Sequence, residues 1–118
     1  LRSTRCMKEG DIVVASIQQA DGIYKNRPGI FLREIRPYGD LLICGVSTQL
    51  RHEVSGFDEI IYPSDTDFAS SNLTATSLIR LGYLITIPVN KVTGKIGSIS
   101  STRHRRLLER LSEYLLAT

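Results

Sequence analysis

Apolar positions along this chain fall in short runs, broken repeatedly by Gly, Pro, Asp and Asn. After Gly10-Asp11, the β-branched run Ile12-Val13-Val14-Ala15-Ser16-Ile17 predicts a first strand. Gln18 to Asn26 is polar and has no helical period, so it reads as a loop. Pro28 to Ile35 forms a second strand, and Arg36-Pro37-Tyr38-Gly39-Asp40 carries turn chemistry. Leu41 to Gln49 is a third strand, whose centre Leu42-Ile43-Cys44 predicts burial on both faces. Arg51 to Gly56 is a polar connection with room for a short edge strand. Phe57 to Tyr62 is a fourth strand, stopped by Pro63. Ser64-Asp65-Thr66-Asp67 has the residue types of a helix N-cap and leads into a short helix or 3₁₀ turn near Phe68-Ala69-Ser70. Thr76 to Leu81 and Tyr83 to Ile87 read as two strands separated by Gly82, and Pro88 ends the second. Val92 to Ser100, with Gly94 and Gly97, holds a turn and a last short strand.

The pattern then changes period. Leu107, Leu108, Leu111, Tyr114 and Leu115 fall at helical spacing, with Ser101 or Thr102 as the cap. Arg103, Arg105, Arg106, Glu109, Arg110 and Glu113 occupy most of the remaining positions. The basic cluster sits at the helix N-terminus, the unfavourable end for the macrodipole. A contact with RNA backbone or a protein partner is one reading of it; a solvated helix face is the simpler one. Many short strands followed by one amphipathic helix make a mainly β fold. It is a small, curled antiparallel sheet or barrel, with a short helix and a closing C-terminal helix.

Length and composition narrow the class. At 118 residues the chain fits one domain, and 42% hydrophobic against 23% charged residues supplies a core and argues against disorder. Residues 1–9 read as a leader with little fixed structure before Gly10, and residues 10–118 as the single domain. A net charge of +3 permits a polyanionic partner without requiring one. No apolar run approaches the roughly 18 residues that cross a bilayer. Nor does the N-terminus hold an apolar signal core, so the expectation is a soluble, cytoplasmic protein without a membrane partner. Cys6 and Cys44 are far apart, and His52 and His104 are isolated, so neither a metal site nor a cofactor is expected. Cys44, in its apolar run, reads as a buried small hydrophobe.

Candidate chemistry begins at Lys25-Asn26-Arg27-Pro28. Proline fixes its own φ and drives the preceding residue toward extended geometry, so Arg27 is expected at a rigid loop-to-strand junction. A guanidinium held there suits a charge-assisted grip on phosphate. Taken alone, the dipeptide is more simply a solvated strand entry. Polar groups recur at Ser47-Thr48-Gln49, after an apolar strand, and at Ser77 and Arg80 within another. Two arginines and a pair of hydroxyls, if they converge, can bind a phosphodiester and stabilise charge developing on it. RNA carries its own nucleophile, the 2′-OH, so such a site could cleave it without a metal by positioning, charge stabilisation and proton transfer. Ser77 and Thr48 read equally as strand residues with satisfied hydroxyls.

Gly10-Asp11-Ile12-Val13, Asn26-Arg27-Pro28-Gly29-Ile30, Val46-Ser47-Thr48-Gln49, Ser77-Leu78-Ile79-Arg80-Leu81 and Lys95-Ile96-Gly97-Ser98-Ile99-Ser100 stand in the order and spacing of the MazF/PemK toxin family. The chain resembles the compact branch of that family from about Gly10 to Tyr114. The resemblance implies an SH3-like barrel with added helices, usually a homodimer. It implies the toxin half of a type II toxin–antitoxin pair, neutralised by a small, partly disordered antitoxin. It implies a metal-independent, sequence-specific endoribonuclease that cuts single-stranded mRNA by 2′-OH attack, leaving a 2′,3′-cyclic phosphate and a 5′-OH. Arg27 matches the family's arginine before proline, which acts in proton transfer or phosphorane stabilisation. Ser47 matches its catalytic threonine or serine, and Arg80 an active-site arginine of some members. Thr48 and Gln49, with Lys25, Asn26 and Asp21 of the preceding loop, are the expected substrate contacts.

The chain also departs from that pattern. Some members carry an acidic residue two positions after the second arginine, where this chain has Gly82. Some carry a His or Glu in the loop before Arg-Pro, where Asp21 is a substitute or simply a surface aspartate. The general base is therefore open, with His52 either a candidate or an exposed connector histidine. Two other functions stay in view: a non-catalytic module that binds RNA or peptide, which Gly82 keeps alive, and a gyrase-directed toxin of the CcdB type.

Overall fold

The computed structural model describes residues 7–117. Six antiparallel strands form one sheet: β1 (Asp11–Gln18), β2 (Tyr24–Ile35), β3 (Asp40–Ser47), β4 (Glu59–Ile61), β5 (Ser77–Ile87) and β6 (Val92–Ser98). Their spatial order is β4-β5-β3-β2-β1-β6. The described residues also hold two α-helices, the single turn α1 (Phe68–Ser71) and the long α2 (Ser101–Leu116). The mainly β architecture with a short and a C-terminal helix is the one the hydrophobic pattern predicts. The sheet is not closed, however: β4 and β6 are its two edges. β4 is three residues long, and Pro63 follows it without an N–H to extend a ladder.

Strand alternation makes two cores, one on each face of the sheet. Ile12, Ile30, Leu32, Cys44, Ile79 and Leu81 pack on one face, under Leu107 and Leu111 of α2. Val13, Ala15, Ile17, Phe31, Ile43 and Ile87 pack on the other. Burial on both faces explains the unbroken apolar centre of β3. Cys44 is fully buried there, and desolvation pushes its thiol up to about 12, so it is inert packing.

Two strands and the N-terminal segment differ from the sequence expectation. β2 starts at Tyr24 because its first residues pair with β1 from Gln18↔Tyr24 to Ile12↔Ile30. This hairpin extension is exposed, so it carries no apolar alternation to read. Arg27 accordingly lies within a strand, opposite Ala15, and not at a loop junction. β5 runs unbroken through Gly82 but bulges: Gly45 pairs with Arg80 and Cys44 with Leu84, leaving Leu81, Gly82 and Tyr83 without partners in β3. The buried carboxylate of Asp58 accepts the Leu81 N–H at 3.0 Å and the Val54 N–H at 2.9 Å. Residues 1–6 of the expected leader lie outside the described residues, but its last part is tied down. Met7 packs against the second core, and Glu9 accepts the Glu34 N–H at 2.9 Å.

The basic stretch of α2 is not the solvated face it resembles. Arg103 is 6% exposed and donates to Asp67 at 2.8 Å, Glu59 at 2.8 Å and Asp65 at 3.0 Å. Glu59 reaches it because its β4 position pairs with Ile79, on the face that α2 covers. Arg106 also pairs with Glu59, and Arg110 donates to the Phe57 and Asp58 carbonyls. Burial disfavours charge on both Asp67 and Arg103. Their mutual hydrogen bond and attraction outweigh it, holding the Asp67 carboxyl below its ordinary range and the Arg103 guanidinium above its own. The helix cap is Ser100, not Ser101 or Thr102; its hydroxyl accepts the Arg103 N–H at 3.1 Å. Gly97 lets α1 seat on β6, because a Cβ there would collide with the Ser70 and Ser71 carbonyls.

Candidate active-site cleft

Residues opposite one another in an antiparallel pair share a face, as do alternate residues along a strand. Gly29 of β2 pairs with Gly45 of β3, and Gly45 pairs with Arg80 of β5. Arg27 lies two residues before Gly29, and Ser47 two after Gly45. Arg27, Ser47 and Arg80 therefore stand on one face, across three adjacent strands. Between them lie two glycines that no larger residue could replace. A Cβ on Gly29 would strike the Ile43 side chain and the Cys44 carbonyl, and one on Gly45 would come within 2.6 Å of Tyr83 Cδ2. The Ile43 side chain and the Tyr83 ring therefore pack down over these two glycines, with the functional groups around them.

The three side chains line a cleft of about 660 Å³. Thr48, Gln49 and His52 form one wall, the β1–β2 hairpin at Gln19 and Ala20 contributes another, and Leu73 to Ala75 a third. Among the described residues, two guanidiniums line the cleft and no carboxylate does. Neither Arg27 nor Arg80 has an ion-pair partner among the described residues. The site is therefore a small concentration of positive charge, suited to an anion.

Local hydrogen bonding sets how each group can act. Ser47 Oγ accepts the Gln49 N–H at 3.0 Å, which uses acceptor capacity and leaves its own O–H to donate. The chain then tightens into a 3₁₀ turn at Leu50–His52, whose His52 N–H donates to the Gln49 carbonyl at 3.1 Å. That turn carries His52 to the rim, on the same side as Ser47. Ser77 is buried and donates to the Ala75 carbonyl at 2.8 Å, a satisfied strand hydroxyl.

Of the expected site residues, Arg27, Ser47, Arg80, Thr48 and Gln49 come together. Lys25, Asn26 and Asp21 do not line the cleft. Asn26 falls on the opposite face from Arg27 by alternation, and Lys25 shares Arg27's face but lies nearer the hairpin end. The Asp21 carboxylate accepts the Ile23 N–H at 3.0 Å and shapes the hairpin turn. Tyr83 and the Leu73–Ala75 wall escaped sequence reasoning. Regular alternation sends residues 80 and 83 to opposite faces, and only the β5 bulge returns Tyr83 to the side of Arg80. Among the described residues, no group of three or more His, Cys, Asp and Glu side chains could hold a metal ion. Nor, among the described residues, is any helix long and apolar enough to cross a membrane.

A family profile described as "PemK-like, MazF-like toxin of type II toxin-antitoxin system" matches residues 8–115. Among solved structures, the fold is similar to the Mycobacterium tuberculosis toxin MazF-mt6, with a TM-score of 0.65. That similarity covers 89% of this chain and 95% of the other at 19% sequence identity, and so concerns the fold. No curated protein matches the sequence at a significant level.

Proposed function

The chain belongs to the PemK-like, MazF-like family of type II toxins, and from that footing we propose that it is a metal-independent endoribonuclease acting on single-stranded RNA. The observation that carries this reading is the meeting of Arg27, Ser47 and Arg80 in a cleft with no carboxylate. A phosphodiester seated in the cleft has guanidiniums from β2 and β5 and a hydroxyl donor from β3. The substrate's 2′-oxygen attacks phosphorus, the bond to the 5′-oxygen breaks, and the products are a 2′,3′-cyclic phosphate and a 5′-OH.

A guanidinium stays protonated in proteins, so Arg27 acts by charge and hydrogen-bond donation and does not serve as the base. Arg80 does the same from β5. Ser47 O–H donates to a phosphoryl oxygen as charge builds there. Each such donor is worth roughly 10²–10³ in rate. Proton movement between the 2′-OH and the departing 5′-oxygen is assigned to His52, the one imidazole on the cleft wall. Thr48 and Gln49 contact the flanking nucleotides. The expected partners are single-stranded RNA, a cognate antitoxin whose acidic segment competes for the same arginines, and a second copy of the chain. The cytoplasm is the compartment where these meet.

The test is incubation of the purified protein with mixed-sequence single-stranded RNA in EDTA, beside Arg27→Ala. The proposal expects discrete cuts with cyclic-phosphate ends, lost in the variant. RNA that stays intact yet is retained by the protein would instead favour a binding module, the reading Gly82 keeps open.

A further inference from the structure

Tyr83 has no role in the chemistry above, yet three features fix it in the cleft. Its ring lies against Gly45, where a Cβ would meet Cδ2 at 2.6 Å and Cγ at 3.5 Å. The Arg80 guanidinium carbon stands 5.9 Å from its ring centroid. The β5 bulge that brings the two side chains to one face is held by Asp58, which is 4% exposed and accepts the Leu81 N–H at 3.0 Å. Asp58 does not itself line the cleft. A buried carboxylate, a bulge, a glycine and an aromatic ring thus act in series on one guanidinium.

We propose that Tyr83 is the positioning residue for Arg80: its ring, seated on Gly45 and held by the Asp58-anchored bulge, keeps the guanidinium aimed into the cleft. The inference rests on the phosphodiester-binding reading of the cleft. Arg80 has no carboxylate to hold it among the described residues, and a long side chain without a partner samples many rotamers. A ring face restrains the guanidinium without neutralising it, whereas a carboxylate would cancel the charge the substrate needs. Tyr83 touches Arg80 and acts through it.

The experiment is a double-mutant cycle on Tyr83→Leu and Arg80→Ala, with Tyr83→Phe as the conservative control. Single-turnover RNA cleavage and binding of a labelled mixed-sequence single-stranded RNA oligonucleotide are both read, with Tm monitored. Arg80→Ala is expected to slow cleavage about 10²-fold. Tyr83→Leu should slow it about tenfold, because a misaimed group loses most of its effect. Tyr83→Phe should stay within about threefold of wild type, since the ring face is what acts. The double variant should stay within about threefold of Arg80→Ala alone, because the two side chains work as one unit. Full activity in Tyr83→Leu, equal losses in the Phe and Leu variants, or multiplying losses in the double variant would each overturn the proposal. If wild type binds RNA without cutting it, the nuclease reading fails, and the same cycle read on binding still decides the role of Tyr83.

Discussion

On the face that α2 covers, Arg103 is buried and meets Asp67, Glu59 and Asp65, while Arg106 and Arg110 gather on the same acidic group. On the opposite face Arg27 and Arg80 line a cleft that holds no carboxylate. The side chain is the same, and its company differs. A buried guanidinium paired with three carboxylates has its charge satisfied by the protein and ties a helix to the sheet. A guanidinium without an acidic partner among the described residues keeps its charge for something that arrives. The contrast separates arginines that hold the fold from arginines that use it, and each can be broken alone.

The largest effect is expected from Arg103→Ala. It leaves Asp67 and Glu59 buried beside an empty space and should cost about 3–5 kcal/mol in denaturant unfolding. Cleavage by the fraction still folded should be unchanged. Arg27→Ala is the mirror image. Single-turnover cleavage should fall by roughly 10²–10³, while stability moves by no more than about 0.5 kcal/mol, since the side chain is exposed. If Arg27→Ala lowered both together, the division between the two sets would fail.

Acid should act on the paired set. Asp67 is held below its ordinary carboxyl value of 3.8, so its contribution to stability is complete above that value and is lost as pH falls through the lower folded-state value. Thermal melts from pH 6 downward, on the order of one unit apart, should show a steeper acid decline in wild type than in Asp67→Asn. Equal slopes would mean the Asp67–Arg103 pair carries no linkage. The smallest effect is expected from Arg105→Ala. Arg105 is exposed and meets Glu109 at 3.4 Å, one helical turn on, a pair worth about 0.3–0.5 kcal/mol. A Tm shift beyond a degree or two, roughly what such a pair supports in a domain of this size, would show that the solvated part of α2 does more than face water.

The two arginine sets were not equally legible in the sequence. The motifs around Arg27, Ser47 and Arg80 resemble a known family, and Ser47 and Arg80 also stand out as polar groups in otherwise apolar strands, whereas Arg27, on an exposed hairpin extension, has the motif alone. The ion-pair cluster was not legible. Glu59 and Asp67 precede Arg103 by 44 and 36 residues, and no local pattern announces a pairing at that separation. Arg103 therefore looked like its neighbour Arg105, which is solvated. Gly82 looked like a strand break because bulges and breaks share glycine as a signal. The strand continues through it only because Asp58, 23 residues before Leu81, satisfies the freed N–H. The hydrophobic pattern leaves a curled sheet and a closed barrel both open, because closure depends on whether the edge strands meet, which period-two alternation does not report.

The most direct test of the cleft's role uses a substrate altered at one atom. Once a cut site is mapped, the same RNA is made with a single 2′-deoxy nucleotide on the 5′ side of that linkage. The account predicts that binding persists and cleavage at that linkage stops, because the cleft holds the phosphodiester and the RNA supplies the nucleophile. Cleavage of the deoxy linkage at the wild-type rate would contradict it, since the attacking group would then have to come from the protein or from water.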